Sequence, residues 1–500
     1  MQSFAPKRIA RRWSDRRRRA DGEVRVHAFR SGIAIRRSTC ATAVLAALSA
    51  TIAAGPRAAP PGAPEASAPA SITVTNCDDS GPGSLRDAVA SAATGGTVDL
   101  GGLACSTITL TSGAIEIPQD DLYIKYTPHD GPRPTIAANL QSRIFHHTGH
   151  GTLKIEGVVL NEGKYDNSEP FQLVDSDGGC IYSAGNVHVV ASIVTNCIAT
   201  ATRGAHAAGG GIYAAGSITL VESVVSGNTA TATAQFNDGG GLFAHGAVAI
   251  YYSSVSDNVI YGPGETGFGG GIAVVNAGTT PSVIANSTID GNVADIGGGL
   301  ELSGIATYGT EATITNSTIT GNTASRYAAA GYFRGPLTIV SSTIAFNTSS
   351  TGPAIDLASH TDPVRIESSI VADNDDDSFD YDIGAQGYAI TIAGSHDLVI
   401  FASSSIALPD DTIADEPMLL ALADNGGPTR TLALGAGSAA IDHGDDIAGL
   451  AFDQRGSPYP RISGEAADIG AYESESADAI FSDGFDGASG LLTHTAEMLP

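Results

Sequence analysis

Along the middle of the chain apolar and polar residues alternate with period two in short bursts, as in Ser217-Ile218-Thr219-Leu220-Val221-Glu222 and Ala312-Thr313-Ile314-Thr315-Asn316-Ser317. Such alternation predicts short strands with one buried face, and no repeat carries a convincing helical period. The bursts are punctuated by a glycine mark. Gly209-Gly210-Gly211-Ile212-Tyr213, Gly239-Gly240-Gly241-Leu242-Phe243, Gly269-Gly270-Gly271-Ile272-Ala273 and Gly297-Gly298-Gly299-Leu300-Glu301 recur at intervals of 30, 30 and 28 residues. Gly178-Gly179-Cys180-Ile181-Tyr182 stands one period earlier, and Ala329-Ala330-Gly331-Tyr332-Phe333 is a worn copy one period later. A second mark follows each copy, as in Ser223-Val224-Val225-Ser226-Gly227-Asn228 and Ser317-Thr318-Ile319-Thr320-Gly321-Asn322.

A period of this length built from strands means a stacked array. The expected fold is all-β, a single right-handed parallel β-helix in which equivalent side chains of successive turns lie above one another. The recurring Asn228, Asn258, Asn292, Asn322, Asn347 and Asn374 are the expected turn positions, where Asn can take the left-handed conformation and bond to the next Asn in a ladder. Cys197 takes the Asn place in the earliest copy. A β-propeller is disfavoured, because its blades are longer and marked by aromatics, whereas the one Trp of this chain is Trp13. Arrays also need closed ends. Ser84 as N-cap, with Leu85, Ala88, Val89 and Ala92 on one face, predicts a short amphipathic capping helix at the N-terminal end.

Composition places this array outside the cytoplasm. The 500 residues include 61 Gly and carry a net charge of -27. The charge is uneven: residues 1–60 hold 13 of the 26 basic residues and three acids, leaving about -37 on the remainder. A chain of that sign repels phosphate backbones and anionic lipid, so nucleic-acid binding is excluded as an expectation, and divalent cations become the natural inorganic partner. The basic start runs into the apolar stretch Ser38 to Ala54, the build of a secretory signal. Residues 1–54 therefore read as an export region and 55–70 as an Ala/Pro-rich linker. No transmembrane span is expected in the mature chain, and a monomer is. Four cysteines remain after Cys40. Proximity favours Cys77 with Cys105 and Cys180 with Cys197 as structural disulfides, the first stapling an N-terminal cap (71–106) to the array and the second within one turn.

These marks resemble secreted bacterial right-handed parallel β-helix repeat proteins, of the polymorphic outer membrane protein and pectate-lyase-like kind, over residues 178 to about 374. Ser84-Leu85-Arg86-Asp87-Ala88 resembles the core of the CSLREA motif, with Gly83 in place of Cys and Asp87 in place of Glu. Asp424-Asn425-Gly426-Gly427-Pro428-Thr429-Arg430, Gly437-Ser438-Ala439-Ala440-Ile441-Asp442, Asp453-Gln454-Arg455-Gly456 and Asp468-Ile469-Gly470-Ala471-Tyr472-Glu473 are similar to the choice-of-anchor Q module of bacterial surface proteins. The resemblance implies export and surface display, with the β-helix over 107–420, the anchor-module-like segment over 421–473 and a tail over 474–500 that holds a possible sorting motif at Ile480 to Asp486.

A hydrolase needs two carboxylates across a groove, and a lyase a base beside a bound uronate. Gly149-His150-Gly151 only superficially resembles a polygalacturonase signature. The pairs Asp78-Asp79, Asp120-Asp121, Asp410-Asp411 and Asp445-Asp446 read as turn residues. Arg326, Arg334 and Arg365 are candidate bases or carboxylate binders, with surface ion pairing preferred. His146, His147 and His150 read as isolated surface histidines. The densest acid cluster, with Asp373, Asp375, Asp376, Asp377, Asp380 and Asp382, is the candidate Ca²⁺ site. No catalytic residue and no required cofactor is expected. The function expected is a non-catalytic, secreted or cell-surface stalk that contacts glycans, other cells or matrix through its loops Thr200 to Ala208, Thr229 to Asp238 and Val259 to Phe268. The alternative is a polysaccharide lyase or glycoside hydrolase acting on an acidic polysaccharide.

Overall fold

The computed structural model describes residues 71–475 apart from short stretches at 128–131, 168–175, 202–204, 233–236, 263–265, 277–278, 305–310, 359–362, 377–380 and 386. The export region, the linker, the tail with Ile480 to Asp486, and Asp377 and Asp380 of the acid cluster lie outside the described residues.

One turn shows how the pattern folds. Ile181–Ser183, Asn186–Val190, Ile193–Thr195 and Ile198–Ala201 are four strands in succession, followed by the two-residue strand Ala207–Ala208. Each pairs in parallel with its counterpart one turn on: Ile181 with Ile212, Val187 with Ile218, Val194 with Val225 and Ile198 with Thr229. Repeated turn after turn, this gives sheets of 13, 12, 11 and 10 strands among the described residues. The chain is an all-β right-handed parallel β-helix, the hand that parallel crossovers almost always take. Parallel pairing starts at Ser71–Thr73, ahead of the repeat marks, and ends at Ile406–Ala407.

In-register stacking turns the periodicity into a core. Ile181, Ile212, Leu242, Ile272 and Leu300 form one inward column, all fully buried. Each contributes roughly 1.5–3 kcal/mol relative to exposure. A single apolar cluster runs from Val74 to Val399. Among the described residues, the segments expected as loops between Thr200 and Phe268 are largely strand: Thr229–Ala232 and Asn237–Asp238, for example, pair with the turns on either side. Their alternation was hidden by small residues whose burial follows from stacking.

The second mark encodes two corners. At the first, Ser223 N–H donates to Ser253 Oγ at 3.0 Å, and the same bond repeats from Ser192 to Ser369. At the second, the side-chain amide of each Asn donates at 2.9 Å to Oδ1 of the next, from Asn228 through Asn258, Asn292, Asn322 and Asn347 to Asn374. The left-handed residue is the one before the Asn (Gly227, Asp257, Gly291, Gly321, Phe346, Asp373), which corrects the expectation that the Asn itself takes that conformation. The Asn points inward and is buried, so its amide satisfies backbone groups that water cannot reach, as Asn258 does for Val225 O. The glycine mark makes the third corner. Gly239 has φ +67°, and a Cβ on Gly240 would lie 2.4 Å from Gly270 O in the next turn.

The ends are closed as well. The helix Leu85–Ser91 is capped by Ser84 Oγ, which accepts from Asp87 N–H at 3.2 Å, and it buries Leu85, Ala88 and Val89. Gln119 Nε2 donates to Val89 O and Ala92 O at its far end. Arg86 bonds Asp79, Gly113 O and Ala114 O, tying the cap to the first turn. Disulfides join Cys77 to Cys105 and Cys180 to Cys197. Past Ala407 the described residues form isolated bridges and turns that fold back on the 11-strand sheet: Thr288 Oγ1 donates to Arg430 O, Ala471 N–H to Thr343 Oγ1 and Gly470 N–H to Ser368 O. The anchor-like motif residues Asp453 and Arg455 form a buried ion pair at 2.7 Å inside this segment. No helix among the described residues is long and apolar enough to cross a membrane.

Candidate functional site

The fifth residue of the glycine mark points outward from the 10-strand sheet. Pairing puts Glu116, His146, Tyr182, Tyr213, Phe243, Ala273, Glu301, Tyr332 and Asp356 into one outer column. Tyr182 and Tyr213 stack at 5.2 Å and 4°, and Tyr213 and Phe243 at 5.5 Å and 12°, close to the strand spacing that imposes the contact. His245 meets Phe243 edge-on at 4.9 Å. The rings cover one another's faces; Tyr182 and Tyr213 are half-buried and Phe243 is buried.

At the N-terminal foot of the column lies an open groove of about 530 Å³, where the 10-strand and 12-strand sheets meet. Its polar lining comprises Glu116, Arg143, His146, Lys164, Tyr165 and Asp166. His146 Nδ1 is 2.6 Å from Glu116 Oε2 and Lys164 Nζ 2.9 Å from Asp166 Oδ2. Arg143 forms the back wall and is only 7% exposed. Its Nε donates to Gly178 O at 2.9 Å and its Nη2 to Asp177 O at 2.6 Å, and the guanidinium lies 3.9 Å from the Tyr165 ring centroid. Burial lowers its pKa to about 10, a loss countered by Tyr165, Asp177, Tyr182 and Glu116, so it stays charged at neutral pH.

Further along the column Glu301 is buried. Ser303 Oγ donates to its Oε1 at 3.1 Å, while Oε2 has no hydrogen-bond partner. Burial first, then the charge of Asp238, push its pKa up. Tyr332, paired with Glu301 one turn on, accepts from Arg334 Nε and Nη2. Of the three candidate arginines, Arg334 is thus the one on this face. Arg365 pairs with Glu367 and Arg326 Nη1 donates to Thr266 Oγ1 at 3.3 Å.

The described members of the acid cluster take backbone and corner roles. Asp373 is a left-handed corner residue, Asp375 pairs with Thr348 in a short strand, and Asp382 ends the Asn ladder with both oxygens engaged, Oδ1 by Asn374 and Oδ2 by Phe401 N–H. The backbone of Asp376 pairs with Ser349. Among the described residues no three His, Cys, Asp or Glu are grouped to hold a metal. His146 and His147 face opposite sides of one strand, and His147 is buried against Ser183 Oγ and Gln119 O. Asp120 and Asp121 cap the next turn by accepting from His150 and Thr152 N–H. Sequence reasoning missed Arg143, Tyr165 and the ring column. The column had a signal, the aromatic that recurs as the last residue of the glycine mark at Tyr182, Tyr213 and Phe243; the groove had none, since it joins residues of three different strands.

No protein-family model matches the chain, and no curated protein does. Among solved structures, that of pectate lyase Pel9A is similar, with 13% identity and a TM-score of 0.42 over 81% of this chain and 96% of that one. At that level the similarity carries no chemistry across, and the strand pairing itself defines the class: a parallel β-helix.

Proposed function

We propose that this chain is an exported, elongated binding protein that holds a glycan on the outer face of its 10-strand sheet. The observation that carries the reading is the open groove of about 530 Å³ with its hydrogen-bonding lining, at the foot of a rigid column of stacked rings. Polyhydroxylated ligands are recognised by such dense, fixed donors and acceptors beside aromatic rings. The two disulfides and the basic, then apolar, start of the chain support export. The C-terminal segment, similar to an anchor module in sequence, acts in this reading as a strap that closes the outer face of the 11-strand sheet.

The test is retention of soluble polysaccharides, neutral and acidic, on the immobilised full chain, compared with Tyr165→Ala and His146→Ala variants. Retention of one polysaccharide that falls at least tenfold in both variants, with unchanged melting, is expected. Equal retention by parent and variants places binding elsewhere and overturns the assignment.

A further inference from the structure

Three basic side chains, Arg143, Lys164 and His146, converge on this groove, in a chain that carries only 13 Lys and Arg beyond residue 60. Their partners differ. Lys164 is matched by Asp166 and His146 by Glu116, both within 3 Å. Arg143 has no carboxylate within ion-pair distance among the described residues; the carboxylates that act on it, Asp177 and Glu116, do so only through their field. Two of its nitrogens are fixed by main-chain carbonyls and one face by Tyr165. Nη1 makes no protein hydrogen bond and is not sealed in the interior, so it is the donor left to the groove.

A guanidinium held in place by neutral carbonyls, with a free donor edge in a cleft, is built for an anionic oxygen group. We propose that the groove is selective for an acidic saccharide, whose carboxylate or sulfate is received by Arg143 Nη1 while its hydroxyls meet Glu116, His146, Lys164 and Asp166. This inference rests on the glycan reading above and names the class of sugar. The site also reconciles an acidic ligand with an acidic protein: the net repulsion is long-ranged and screened at physiological salt, whereas the contact at Arg143 is short-ranged and partly desolvated.

The experiment measures binding of three soluble probes of about equal chain length to the full chain at roughly 20–300 mM NaCl: a polyuronate, a sulfated galactan and a neutral galactan. The expected result is that one acidic probe binds at least tenfold tighter than the neutral one, that this preference holds or grows as salt rises because salt screens the net repulsion more than the partly desolvated contact, and that Arg143→Gln abolishes it. Which acidic probe binds distinguishes carboxylate from sulfate. If Arg143→Gln does not fold, Lys164→Gln and the salt series decide, since the parent chain alone must show the preference. Neutral galactan bound as well as both acidic probes overturns the acidic selectivity and leaves the glycan reading standing. No retention of any probe overturns both.

Discussion

The side-chain amide of Asn374 donates to Oδ1 of Asp382 at 2.9 Å, and with that bond the asparagine ladder stops. The serine ladder stops in the same way, where Ser369 N–H donates to Oδ1 of Asp397 at 3.1 Å. A carboxylate is a suitable last rung because it accepts without needing a further donor beyond it. Burial raises Asp382 to about 7 and Asp397 to about 8, against the pull of these bonds.

The pH dependence follows from the sign of those shifts. Asp397 keeps its proton in the folded chain up to about pH 8, whereas an unfolded Asp releases it near pH 4. Between those values the folded state binds more protons, so stability falls as pH rises, by at most about 1.4 kcal/mol per pH unit for each such group. Asp290 and Glu473, raised to about 6 and about 7 mainly by burial, act in the same direction. Urea midpoints at pH 5 and pH 8 should show the decline. Asp397→Asn, which keeps the Ser369 acceptor and fills the place of the unbonded Oδ2, should flatten it.

Asn292 sits mid-ladder, accepting from Asn258 and donating to Asn322 and to Val255 O. Asn292→Ala removes the acceptor of both the Asn258 N–H and its side-chain amide and takes one donor each from Val255 O and Asn322 Oδ1, the latter keeping the Asn292 N–H, and the expected cost is on the order of 3 kcal/mol. Equilibrium unfolding measures it. A loss under about 1 kcal/mol would mean that water takes the place of the amide.

Glycines in this fold separate into two kinds. Gly240→Ala drives a Cβ to within 2.4 Å of Gly270 O, whereas Gly437, which unlike Gly240 is left-handed, at φ +82°, has nothing within 4 Å of the same position. The first change should prevent folding, because the turns cannot separate without breaking the ladders. The second should cost about 1 kcal/mol, the strain of the backbone alone. Melting of both variants decides.

Gln454 is buried between the two layers: Nε2 donates to Thr288 Oγ1 and Thr429 Oγ1 at 2.9 Å, and Oε1 accepts from Thr318 Oγ1 at 2.6 Å. Gln454→Leu strands the Thr318 hydroxyl and removes a donor from those of Thr288 and Thr429, which keep Arg430 O and Asn286 O. Limited proteolysis should then cut within residues 420–475 while the β-helix core persists as a resistant fragment. Simultaneous loss of the core would show that strap and solenoid unfold as one unit.

The Cys180–Cys197 bridge closes a separation of 17 residues. Replacing both with Ala should lower stability by about 3 kcal/mol, read from urea unfolding.

The solenoid itself was legible in the chain because its determinants are local and repeated. A Ser, an Asn and a glycine run each specify one corner, the alternation between them specifies the buried face, and repetition at about 30 residues specifies parallel stacking. The capping helix, with Ser84 at its N-cap, was legible for the same reason. Which corner residue takes the left-handed conformation was not. Gly227 and Asp257 precede their Asn in the same place, but only the stacked turns show that the Asn is needed inside, where its amide meets the next one. The site was read least well. Arg143 draws its meaning from Tyr165, Gly178 and Asp177, which lie 22 to 35 residues away in sequence and are brought beside it only when one turn of the helix closes on the next. Composition fixed the sign of the molecule's charge; the tertiary structure decided which cations pair with a carboxylate among the described residues and which, like Arg143, do not, because that depends on which carboxylates the stacking carries within reach.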